Sequence, residues 1–152
     1  MSSRSASGAA ATVLLATSLV ACTTPTHSTL PLGPHDGAGL EPIASQAVEE
    51  CLARRGSHGA PPHAFTTDGC SLWPDSRWVE CCVVHDMAYW CGGSAEDRAR
   101  ADRGLAACVS AHSSCGMGSL MGLGVRPGGV PWMPVPWRWG YGWDYPAGYR
   151  SP

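Results

Sequence analysis

The sequence predicts a mostly α, small domain stapled by disulfides: two antiparallel core helices, irregular loops and an aromatic-rich C-terminal tail. Three observations carry this. Eight cysteines and a single Phe in 152 residues favour covalent stapling over a deep aromatic core. Two consecutive stretches, Trp78 to Cys91 and Ser94 to about Ser110, carry helical spacing and are joined only by Gly92-Gly93, which makes them antiparallel neighbours. The 19 Gly and 13 Pro concentrate outside the central third. All ten basic residues are Arg, the net charge is −2 and no basic run occurs, which argues against nucleic acid as a partner.

The first 21 residues read as a signal peptide, with Arg4 ahead of an apolar run from about Ala9 to Ala21 that is too short for a comfortable membrane span. Leu19-Val20-Ala21-Cys22 resembles the lipobox of bacterial lipoproteins, which implies cleavage before Cys22 and acylation of its thiol. The other reading is an ordinary export signal. Residues 22–40, rich in Pro, Gly and small polar residues, form a flexible tether in which His27 and His35 read as solvated. The helical domain occupies residues 41–115. Its first helix runs from Pro42 to Arg55, with Pro at the first position, Gly56 after the end, and Ile43, Ala47 and Cys51 as its stripe. Thr66 to Ser71 is a turn-forming segment, and Ser76 caps the central helix. Ser94-Ala95-Glu96-Asp97 opens the following helix with a box-like pattern. Residues 116–152 are a tail without helical or strand period. Its Trp132, Trp137, Trp139, Tyr141, Trp143, Tyr145 and Tyr149 have two readings: rings settled at a lipid headgroup interface, or a wrap over apolar helix faces.

The chemistry concentrates in the central helix, W-V-E-C-C-V-V-H-D-M-A-Y-W-C. At about 100° per residue, Cys81, His85 and Tyr89 share one ridge and Cys82 and Asp86 the next. Asp102 interrupts the apolar stripe of Ala99, Leu105, Ala106 and Val109 on the neighbouring helix. A buried carboxylate needs a partner, and His85 is the obvious one. A His oriented by a buried Asp is a competent general base for water. Asp86 suits a hard cation such as Ca²⁺, with Asp68 in its turn as the best second oxygen donor. Together these point to metal-assisted hydrolysis of an ester. Two other readings compete: Zn²⁺ on Cys70, Cys81, Cys82 and His85, and a stapled helical module in which His85 is a satisfied core residue.

The run Cys81 to Tyr89, C-C-V-V-H-D-M-A-Y, resembles the Cys-Cys-x-x-His-Asp-x-x-Tyr active-site helix of secreted phospholipase A2. Ala101 to Val109, A-D-R-G-L-A-A-C-V, is similar to the second long helix of that family, and Asp68-Gly69-Cys70 to the short calcium loop of its bacterial and fungal members. The likeness covers Asp68 to Cys108, under a third of the chain. It implies His85 as the base, Asp102 as its orienting partner, and Tyr89 as a hydrogen-bond donor to Asp102. It also implies Ca²⁺ on the Asp86 and Asp68 carboxylates and the Gly69 carbonyl, and bridges Cys70–Cys82 and Cys81–Cys108. A further family bridge would link the positions of Ala88 and Ala101, and both halves are replaced together. Cys51, Cys91 and Cys115 are then left, with Cys51 paired to Cys115, or Cys91 to one of them, and one thiol over. The Gly-rich calcium loop of the larger animal enzymes is absent, and Trp90-Cys91-Gly92-Gly93 and the aromatic tail depart from the family.

The expectation is a calcium-dependent, phospholipase A2-like hydrolase of the sn-2 ester of glycerophospholipids. It would be exported and lipid-anchored to a bacterial membrane through Cys22, or secreted, and would act on a phospholipid membrane or micelle. The alternative is a non-catalytic envelope lipoprotein that uses the same stapled fold for binding or structure.

Overall fold

A computed structural model describes residues 37–135 and 138–142. The signal segment, Cys22, His27, His35, Trp137, Trp143, Tyr145 and Tyr149 lie outside the described residues. Among the described residues the regular structure is four α-helices, α1 (Gly37–Arg55), α2 (Val79–Cys91), α3 (Ala95–His112) and α4 (Cys115–Gly128), plus a 3₁₀ turn at Gly56–His58. The described residues contain no strand. No helix among them is long and apolar enough to cross a membrane.

The central helix α2 is buried nearly all round, which marks a helix packed on more than one side. One side, Val83, Met87, Trp90 and Cys91, joins Ile43, Ala47 and Cys51 of α1 and the loop residue Phe65. The other, Cys81 and Cys82, joins Cys70, Leu105 and Val109 of α3, and Met121 of α4. Helices α2 and α3 run antiparallel: Cys81 is bonded to Cys108, while His85 and Tyr89 further along α2 both reach Asp102. Gly92 and Gly93 make the reversal at positive φ, +70° and +142°, where side-chain-bearing residues are strained. Ser94 then caps α3, accepting from the Asp97 N–H while the Asp97 carboxylate accepts from Ser94.

Three bridges are formed among the described residues: Cys51–Cys91, Cys70–Cys82 and Cys81–Cys108. Bridges of this number belong to an oxidising, extracellular-type compartment. Cys51 takes Cys91 rather than Cys115. Cys115 is also disulfide-bonded, so no thiol is left over among the described residues.

Several boundaries differ from the sequence expectation. Helix α1 begins at Gly37, five residues before Pro42, which lies inside it. Leu40, one turn ahead of Ile43, packs on the α1–α2 core, and that contact carries the helix into the expected tether. Ser76 does not cap α2 with its side chain. Trp78 holds the N-cap position, and Ser76 contributes its carbonyl to the Val79 N–H instead. The largest difference is α4, fourteen residues of helix where a tail without period was expected. Its glycines and Pro127 lower intrinsic helix propensity, but packing overrides that. A Cβ at Gly118 would meet the Ala106 carbonyl and Ser110, and one at Gly122 would meet Ala106, so these glycines let α4 lie against α3.

After α4 the chain returns across the domain. Trp139 is fully buried, donates its indole N–H to the Gly93 carbonyl at 3.1 Å and meets the Tyr89 ring edge-on. The Tyr141 hydroxyl donates to the Thr66 carbonyl at 2.6 Å. For these two the wrap reading holds; Trp132 stays 64% exposed.

Candidate active site

The α2 ridge and the α3 stripe place three predicted residues together. His85 Nε2 lies 3.1 Å from Asp102 Oδ1, and the Tyr89 hydroxyl donates to the same oxygen at 2.7 Å. His85 and Asp102 are only 8% and 5% exposed. With Nε2 engaged by Asp102, the ring nitrogen left for chemistry is Nδ1. Burial pushes the Asp102 carboxyl up, but hydrogen bonds from His85 and Tyr89, helped by the charges of His85 and Arg98, hold it below the usual carboxylate value. Asp102 therefore stays ionised. Burial, and then the hydrogen bond to Asp102, push Tyr89 far above an ordinary phenol, so it stays a donor.

Arg98, one turn before Asp102, completes this group, and sequence reasoning missed it. Its Nε donates to the Tyr89 hydroxyl at 3.3 Å, and Nη2 lies 3.9 Å from Asp102 Oδ2. Nη2 also donates to the Val125 and Arg126 carbonyls in the last turn of α4. One guanidinium thus supplies a counter-charge to a buried carboxylate and ties α4 to it. The i, i+4 spacing of Arg98 and Asp102 was the available signal. Arg98→Met is expected to destabilise the domain by about 2–4 kcal/mol, because it strips a buried carboxylate of its cation and two carbonyls of a donor. A urea denaturation midpoint equal to the wild-type value would contradict this role.

The loop ahead of α2 is held against Asp86 through Thr67, which carries Asp68 and Gly69 with it. The Asp86 carboxylate accepts from Thr67 Oγ1 at 2.6 Å, and Thr67 Oγ1 accepts the Gly69 N–H at 3.1 Å. Asp68 accepts from Ser71 Oγ at 2.7 Å. Asp75 accepts the Cys70 N–H at 2.9 Å and lies close against Gly69, whose φ of +79° and lack of a side chain permit the approach. Asp86 is pushed up to about 8, mainly by burial; the Thr67 hydrogen bond opposes this and the Asp68 charge adds to it. Thr67, Asp75 and Tyr141, none of them given a role in the site by the sequence, pin this loop. The Asp68 and Asp86 carboxylates do not converge with a third acidic, imidazole or thiol ligand among the described residues. A cation there would need main-chain oxygens such as that of Gly69.

A cavity of about 260 Å³ opens over these groups. His85, Asp86, Tyr89 and Gly69 line it on the polar side, and Leu72, Trp73, Leu105, Met121 and Val125 give it an apolar wall. The Zn²⁺ alternative fails on chemistry, because Cys70, Cys81 and Cys82 are all in disulfides and offer no thiolate. The same objection removes the cluster of Cys81, Cys108 and His112 as a metal site. Compared with known protein families, curated proteins and solved structures, the chain finds no match.

Proposed function

We propose that this protein is a calcium-dependent, phospholipase A2-like hydrolase that cleaves the sn-2 acyl ester of glycerophospholipids. The observation that carries the reading is the His85–Asp102–Tyr89 group opening on a cavity with an apolar wall, on a helix bearing the Cys-Cys-x-x-His-Asp-x-x-Tyr pattern. The stapled pair α2 and α3 supports a phospholipase A2-like fold. The disulfides together with the apolar N-terminal leader support an exported protein, secreted or held at a bacterial envelope.

In this mechanism Nδ1 of His85 takes a proton from water as the water oxygen bonds to the acyl carbon, Asp102 stabilises the imidazolium that results, and the imidazolium returns the proton to the leaving alcohol oxygen as the acyl C–O bond breaks. Tyr89 and Arg98 hold Asp102 ionised and in place. The apolar wall excludes solvent from the ester. The donor set fits Ca²⁺ in kind: two carboxylates, Asp86 and Asp68, and the Gly69 carbonyl are hard oxygen ligands. Bound there, Ca²⁺ would supply Lewis-acid stabilisation of negative charge on the ester oxygen.

The test is fatty-acid release from mixed phospholipid vesicles by the oxidised protein, with Ca²⁺ and then with EGTA. Calcium-dependent release of the sn-2 chain is the expected result; no release under either condition would remove the hydrolase reading. A second expectation concerns pH. Ligation by Asp86 displaces its proton, so Ca²⁺ affinity should fall about tenfold per pH unit below about 8 and level off above it. Calorimetric titration across that range reads the slope directly, and Asp86→Asn should abolish both slope and binding. Without Ca²⁺ the sign for stability is opposite. Folded Asp86 keeps a proton that the unfolded chain releases above 3.8, so stability falls as pH rises toward about 8.

The second reading is a non-catalytic envelope lipoprotein with the same stapled helices. It is favoured by the way Ser71 and Thr67 already satisfy Asp68 and Asp86 without a cation. Absence of Ca²⁺ binding by a folded sample would select it.

A further inference from the structure

The cavity beside His85 is lined by the loop ahead of α2, by α2 itself, by Leu105 of α3 and by Met121 and Val125 of α4, and no residue of α1 lines it. Leu72, in the loop ahead of α2, also lines it. It is 88% exposed and held at φ +63°, a left-handed conformation costly for a branched side chain, so an apolar group is kept at the mouth against backbone preference. Gly124 of α4 also lines the cavity, and a Cβ built there would meet no atom within 4 Å. The position has no positive φ, so a side chain added at Gly124 would enter open space without backbone strain.

We infer that Gly124 sets the length of straight acyl chain that this cavity accepts. The inference rests on the ester-hydrolase reading for the class of ligand. At a liquid-like share of about 30 Å³ per small group, 260 Å³ holds roughly eight or nine methylenes. Longer chains extend past Gly124 and Leu72 into solvent and gain nothing further from the wall. Glycine at 124 is the gap through which they pass. Filling it shortens the slot.

The test uses the full oxidised chain and straight-chain alcohols from butanol to dodecanol, followed by the fluorescence of the protein, in which Trp73 lines the cavity. Alcohols probe the apolar wall without cation or chemistry. For the wild-type protein, affinity should rise about fourfold per methylene and flatten once the cavity is full. In Gly124→Leu the flattening should come several carbons earlier, with decanol bound at least tenfold more weakly. Gly104→Leu is the control. Gly104 is exposed on α3, outside the cavity lining, and a Cβ there also meets open space, so its profile should match wild type. Both substitutions replace a helical glycine with a better helix former, which protects folding. Decanol bound equally by wild type and Gly124→Leu would overturn the inference. So would an equal loss in Gly104→Leu, or wild-type affinity indifferent to chain length. Ester hydrolysis absent with the alcohol profile as expected removes the hydrolase reading and keeps the slot. Hydrolysis present with a profile unmoved by Gly124→Leu does the reverse.

Discussion

His85→Gln is expected to lower fatty-acid release by roughly 10²–10⁴-fold, the range a positioned general base contributes, while leaving the fold intact. Glutamine keeps a side-chain N–H that can donate to Asp102, so the buried carboxylate retains a partner and the desolvation penalty is avoided. It has no nitrogen lone pair to accept a proton from water, so the base is gone. Initial rates on vesicles, with a thermal melt on the same sample, check both halves. An undiminished rate would remove His85 as the base. A collapsed melt would show that glutamine does not replace the imidazole in the core.

Removing the Cys81–Cys108 bridge by double substitution to Ala should cost about 3–4 kcal/mol, the chain-entropy value for a loop closed over 27 residues. For a domain of this size that lowers the melting temperature on the order of 15 °C. Activity should fall further than stability alone predicts. Cys81 lies one turn from His85, and Cys108 shares α3 with Asp102, so the bridge sets the register in which base and carboxylate meet. The Cys51–Cys91 bridge is the comparison. It closes a longer loop, over 40 residues, and joins α1 to the end of α2, away from the dyad. Its removal should cost similar stability and, at temperatures where the variant is folded, spare more of the rate. Thermal melts and rates on both double variants separate register from stability, and equal activity losses would contradict the register argument.

The part of the site built on α2 and α3 was legible because it obeys local rules. His85 and Tyr89 share a ridge by helical spacing alone, and Asp102 stood out as a carboxylate inside an apolar stripe. The Ser94 box and the two glycines before it announced the reversal that brings the helices together. Thr67 and Arg98 were less visible. Thr67 acts on Asp86, 19 positions on, and Arg98 on Tyr89, 9 positions back, and no local period marks either pair; only the weaker i, i+4 contact of Arg98 with Asp102 has a helical spacing.

By itself, then, the sequence determined the mostly helical class, the stapling, the antiparallel pair and the ridge that carries His85 and Tyr89. These follow from cysteine content, capping residues and periodicity, all of them local properties. Only the tertiary structure decided that α4 is a helix, that it walls the cavity, and that Trp139 and Tyr141 fold back over the domain. The reason is that the helix propensity of α4 is poor when taken alone. Gly118 and Gly122 are favourable only because another helix lies close enough to need the missing side chains, and that is a fact about α3, not about the segment itself.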